Sequence, residues 1–199
     1  MMKRALVTGP IKKPVSLKEA KEHLRVDVGW TEDDNFIKSL ISVATKKAEG
    51  YLRRKLITQT WKVFMDSWPH GDIILPFGQL QSVTHVKYTD TAGTQTEWTA
   101  ATYYEVDTDS EPGRITLRYG QAYPSAALAP KNPIEIQFVC GYGLLGSSVD
   151  ERIVHAMKLM ISDMYENRED VVVGMTVTAN LKATRSLLFP CILWQGTSA

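Results

Sequence analysis

The run from Asp33 to Lys55 constrains the fold more than any other stretch. Phe36, Ile37, Leu40, Ile41, Ala44, Ala48, Tyr51 and Leu52 recur at three- and four-residue spacing, which gathers them on one side of a helix. Lys38, Ser42, Lys46, Lys47 and Glu49 fall on the other side. Thr31 is placed to cap the start, Glu32, Asp33 and Asp34 crowd the first turn, and Arg53, Arg54 and Lys55 crowd the last, in the order the helix dipole favours. At a rise of about 1.5 Å per residue such a helix is roughly 30 to 35 Å long. A helix of that length with one apolar face needs a long partner.

The rest of the chain supplies it. Ser16 with Glu19 spells a capping box opening a short helix whose stripe is Leu17, Ala20 and Leu24, so the first 57 residues read as a helical hairpin. From residue 58 to 147 the period changes to alternation. Trp61, Val63 and Met65, then Ile73 to Leu75, Ser82 to Tyr88, Gln95 to Trp98, Tyr103 to Val106, Arg114 to Tyr119 and Ile134 to Cys140 read as short strands between turn residues, an antiparallel meander. Ser148 with Glu151 spells a second capping box, and Ile153, Ala156, Met157, Met160, Ile161 and Met164 give the late helix of residues 148–168 its core face. Residues 169–199 show no periodic core and read as an extended C-terminal arm. The expected class is α+β: a hairpin and a late long helix forming a small bundle, with an antiparallel β insertion and that arm.

Charge and motifs exclude several functions. A formal net charge of +1, from 23 basic and 22 acidic residues, gives no bulk attraction for nucleic acid or an anionic membrane. No apolar window is long enough to span a bilayer, and the chain reads as soluble and intracellular. Cys140 and Cys191 define neither a disulfide framework nor a zinc site. Gly141, Gly143 and Gly146 spell G-x-G-x-x-G after a strand, which suggests a nucleotide-binding enzyme as an alternative reading. The caps place the helix start beyond the glycines, however, and the upstream strands read as antiparallel, so an ordinary loop is the default. Asp107, Asp109 and Glu111 imitate the start of a calcium loop, but Pro112 and Arg118 stand where a glycine and a bidentate glutamate are required. His23, His70, His85 and His155 lack metal-ligand spacing. Lys46, Lys47 and Arg53 to Lys55 leave open a sequence-independent DNA-binding module, although a solvated helix face explains them equally. No cofactor and no metal is expected.

Three stretches carry a resemblance. LKEAKEHLRVD at Leu17 to Asp27, the DDNFIKSLI opening and LITQTW close of Asp33 to Trp61, and YENREDVVVG at Tyr165 to Gly174 together resemble the head-tail connector, or adaptor, proteins of long-tailed bacteriophages and prophages. The close departs from the family pattern: Leu181 is followed by Lys182 where a Leu-Pro pair is usual, and Pro190, Cys191 and Ile192 stand in place of a Pro-Tyr-Arg ending. The resemblance implies a non-enzymatic virion protein, made in the host cytoplasm and resident at the head-tail junction. It implies a ring of twelve copies beneath the portal protein, which docks a tail-proximal neck or tail-terminator protein and passes DNA without reading it. The apolar residues of the arm, Val171, Val172, Val173, Thr176, Val177, Thr178, Leu187, Leu188, Phe189 and Trp194, are the candidate assembly interface, with the two Val and Thr stretches suited to extending a sheet edge.

Overall fold

The structure is a computed structural model that describes residues 2–167 and 178–194. In chain order its elements are β1 (Lys3–Thr8), α1 (Leu17–Leu24), α2 (Asp34–Leu52), β2 (Gln59–Met65), β3 (Ile73–Ile74), β4 (Leu80–Thr89), β5 (Gln95–Glu97), β6 (Tyr104–Asp107), β7 (Arg114–Leu117), β8 (Ile134–Cys140), α3 (Glu151–Glu166) and α4 (Thr178–Leu188). They fall into two units. One is helical and built from residues 10–57 and 142–194; the other is a β unit built from residues 2–9 and 58–141.

In the helical unit α2 is the long central helix its periodicity predicts. Ile37, Leu40, Ile41, Ala44, Ala48 and Leu52 are buried, Phe36 is half-buried, and Tyr51 sits at the margin of the face, 38% exposed. Its start differs from expectation. Thr31 accepts the Asp34 N–H through its backbone carbonyl and does not cap with its hydroxyl, while Asp33 holds the N-cap position without a capping side-chain bond. The Asp33 carboxylate accepts instead from the Tyr165 hydroxyl of α3 at 2.8 Å, which ties the two long helices together. Ser16 and Glu19 form the expected reciprocal box at α1. The second box does not form. Residues Gly146–Ser148 make a 3-10 turn, so the helix begins later and Asp150 caps it by accepting from the Arg152 N–H at 2.9 Å.

α3 packs Ile153, Ala156, Met157 and Ile161 into the same core as α2. The C-terminal stretch expected to lack a core contributes to it. α4 is helical, and Leu188, Cys191 and Leu193 are all at most 5% exposed. Thr184, Leu188 and Cys191 recur at four- and three-residue spacing, the helical period; a threonine in the stripe and Pro190 directly after it mask the pattern.

All strand pairing in the β unit is antiparallel, in a five-stranded sheet of order β1-β2-β8-β4-β5 and a three-stranded sheet of order β3-β7-β6. The order is not a simple meander, because β8 inserts between β2 and β4. Ile134, Ile136, Phe138 and Cys140 of β8 alternate into the core as expected, and a central strand of that pattern requires a neighbour on each side. β1 is an addition: residues 2–9, assigned from sequence to the helical hairpin, form the sheet's edge strand against β2. Around Trp98, which is 3% exposed, the rings of Trp68, Tyr103, Tyr104 and Tyr123 pack within 6.1 Å centroid to centroid.

Candidate assembly surface

The apolar run Leu187 to Trp194 is divided by helix geometry into two sets with opposite surroundings. Leu188 faces the helical core at 1% exposure and Leu187 packs half-buried against it. After Pro190 the chain turns, and the Leu193 N–H donates to the Leu52 carbonyl at 2.9 Å, fixing the segment to the end of α2. Phe189 and Trp194 are left outside. They are 55% and 66% exposed and meet edge to face, with ring centroids 5.9 Å apart. Leu188 also closes a groove of about 240 Å3 walled by Tyr51, Met160 and Met164, with Lys47 and Arg185 at its rim.

Of the predicted interface residues, the structure thus brings Phe189 and Trp194 to the surface together and assigns Leu188 to the core. Thr178 opens α4, and nothing is described of its side chain. Val171, Val172, Val173, Thr176 and Val177 lie outside the described residues.

The basic cluster at the end of α2 is only partly a solvated helix terminus. Arg54 is 6% exposed, its Nη1 donates to the Tyr142 hydroxyl at 3.0 Å, and its guanidinium lies 5.8 Å from that ring's centre. Lys55 pairs with Glu49 at 2.8 Å. Lys46, Lys47 and Arg53 remain exposed. Asp150 sits between this cluster and Arg152. The paired hydrogen bonds from Arg152 hold its carboxyl below the usual range, and Arg54 adds to that effect.

The glycine loop is used for packing. A Cβ on Gly146 would stand 2.2 Å from the Pro14 carbonyl oxygen, and one on Gly143 would stand 2.5 Å from the Ser148 Oγ. The N-terminus of α3, where a pyrophosphate would sit in a dinucleotide fold, is already occupied by the Asp150 carboxylate. In the calcium-like turn, Asp107 accepts from the Asp109 and Ser110 N–H groups, the Ser110 hydroxyl and Arg114. These bonds, the Ser110 hydroxyl's foremost, pull its carboxyl down to about 2. Among the described residues no group of three or more His, Cys, Asp or Glu is arranged to hold a metal.

Two features were missed from sequence. Lys21, on the buried side of α1, is 2% exposed; its ammonium donates to the Val28 and Trp30 carbonyls at 3.1 and 2.5 Å and lies 2.5 Å from Asp34 Oδ1. Its position in the stripe, four residues after Leu17 and three before Leu24, was the available signal. The second is a groove beside α1, about 560 Å3 in volume, with Val15, Leu17 and Ile41 in its lining and Lys12, Lys13 and Lys38 around it. Chain-distant residues form it, and no sequence period marks it.

A family model described as phage gp6-like head-tail connector protein matches residues 14–116 of the chain. That span runs from α1 to β7 and leaves out β8, α3 and α4. Three solved chains share the fold at 22% identity. A chain from the neck of an empty gene transfer agent particle, computed with C6 symmetry, gives a TM-score of 0.80 over 99% of this chain and 98% of its own. One from the virion of the native particle gives 0.78 over 98% of each. One from the native neck computed with C12 symmetry gives 0.77 over 99% and 98%. Comparison with curated proteins gives no match.

Proposed function

The chain belongs to the phage gp6-like head-tail connector family, and from that premise we propose that it is a structural subunit of the particle neck, assembling as a ring of twelve copies under the portal protein. The ring presents a docking face to a tail-proximal neck or tail-terminator protein, and DNA passes through without being read. The observation that carries this reading is the family match over residues 14–116 combined with a fold shared over nearly the whole chain with neck subunits.

Physical features agree with it. A net charge of +1 suits a channel subunit, since each added phosphate contact would grip passing DNA and make its release salt-dependent. Exposed, paired Phe189 and Trp194 have the residue types that anchor protein interfaces, and a ring needs head-to-tail contacts between unlike surfaces of identical subunits. We assign the interface to Phe189 and Trp194, with Val171, Val172, Val173, Thr176, Val177, Thr178 and Leu187 as further members. Leu188 acts through the core that holds them.

Particle mass and two-dimensional class averages of the purified protein, alone and mixed with its portal, test the proposal. A closed ring seated on the portal is the expected result. Monomers that ignore an intact portal would overturn it.

A further inference from the structure

The groove beside α1 sets an apolar floor among three lysines. Val15 and Ile41, both nearly fully buried, form an apolar floor, and Leu145, 46% exposed, stands at its lip. Lys12, Lys13 and Lys38 surround it, all exposed and none in an ion pair with a described residue. The acid in the lining, Glu19, is already engaged with the Ser16 hydroxyl and N–H, which hold its carboxyl below the usual range. Three unpaired cations around a hydrophobic slot fit a segment that offers carboxylates next to aliphatic side chains. A phosphate backbone would use the lysines and leave the floor unfilled.

The sequence contains such a segment at Glu169, Asp170, Val171, Val172 and Val173, two acids followed directly by three valines. It lies outside the described residues and is named for its chemistry alone. We propose that the lysine-rimmed groove receives the Glu169–Val173 stretch of a second copy of the chain, its acids meeting Lys12, Lys13 and Lys38 and its valines covering the floor. The contact rests on the ring reading above and gives that ring the unlike pair of surfaces a head-to-tail interface requires.

Charge reversal in two sets tests it, with self-association measured by analytical ultracentrifugation and portal binding scored separately. The groove set is Lys12→Glu, Lys13→Glu and Lys38→Glu; the segment set is Glu169→Lys and Asp170→Lys. All three lysines are exposed, so an unchanged circular dichroism spectrum is expected for the groove set. Each set alone should weaken self-association by about tenfold or more, and an equimolar mixture should restore it, because each variant's groove then meets the other's segment with opposite charge.

Wild-type self-association in the groove set would overturn the contact, as would a mixture that stays apart. Loss of salt-dependent DNA binding in the groove set, with self-association intact, would reassign the lysines to phosphate. Variants that keep both ring and portal binding sink the groove and leave the connector reading standing; a wild-type ring that ignores the portal does the reverse.

Discussion

Replacing Lys21 by methionine should destabilise the helical unit by about 2–3 kcal/mol. The stem of the side chain is kept and only the ammonium is lost, so packing changes little and the electrostatic loss is isolated. In the native protein that ammonium satisfies the Val28 and Trp30 carbonyls and lies 2.5 Å from Asp34 Oδ1, with the two side chains 2% and 21% exposed. Removing one partner of a buried pair costs roughly 3–5 kcal/mol because the other charge stays desolvated. Asp34 Oδ1 is itself buried, but the side chain as a whole is 21% exposed, and Val28 and Trp30 are each about half exposed, so their carbonyls can turn to solvent; both effects bring the figure down. The double replacement Lys21→Met with Asp34→Asn removes both charges and should cost about 1 kcal/mol less than Lys21→Met alone. Urea unfolding followed by far-ultraviolet circular dichroism reads the helices. The penalty should change little between about 0.1 and 1 M salt, since a buried pair is poorly screened. A single variant within about 0.5 kcal/mol of wild type, the range of ordinary surface substitutions, would refute the reasoning.

Three further substitutions probe other parts of the argument. Gly146→Ala places a Cβ 2.2 Å from the backbone carbonyl oxygen of Pro14, which cannot rotate away, so a loss of about 1–3 kcal/mol in the same unfolding assay is expected; a neutral result would reopen a ligand role for the glycine loop. Phe189→Ala with Trp194→Ala should leave unfolding within about 0.5 kcal/mol of wild type yet abolish ring formation on the portal, whereas Leu188→Ala should cost about 2–5 kcal/mol, and an exchange of these outcomes would invert the assignment of core and interface. His23 is held below its ordinary value of 6.5, first by burial and then by His155, whose ring lies edge-on 6.3 Å away, and by Lys158. The unfolded chain therefore binds the proton more readily, and this contribution to stability, complete above pH 6.5, falls as the pH drops below it; His23→Gln should flatten that slope, and an unchanged slope would exclude His23 as its source.

What could be read in advance was what burial makes periodic. α2 was legible because a helix with one face in a core must place apolar residues at three- and four-residue intervals, and β8 because a central strand must alternate. β1 was not legible: KRALVT has no alternation, since an exposed edge strand is constrained on one ladder only, and its partner β2 lies more than fifty residues away in sequence. The late helix was placed correctly, but its cap was not, because Ser148 and Glu151 satisfy the capping-box spacing while the 3-10 turn takes Ser148 for its own last residue. Lys21 escaped because a charged residue in an apolar stripe is ordinarily read as a margin position, and its three oxygen partners come from the loop and helix that follow.

The stretch LLFPCILW shows why an interface is harder to read than a core. As sequence it is one apolar run, and any of its members could serve assembly. The structure separates it by burial: Leu188 and Cys191 join the helical core and Leu193 is buried, while Phe189 and Trp194 are exposed. Single exposed apolar residues are common on protein surfaces, but two large aromatics in edge-to-face contact, each more than half exposed, are costly to leave in water and suited to a partner. Folding explains the first set completely and the second not at all. In a family of head-tail connectors, the unexplained set is the pair proposed above to meet the next protein, and the Leu193 N–H bond to the Leu52 carbonyl fixes the segment that carries it to the end of α2.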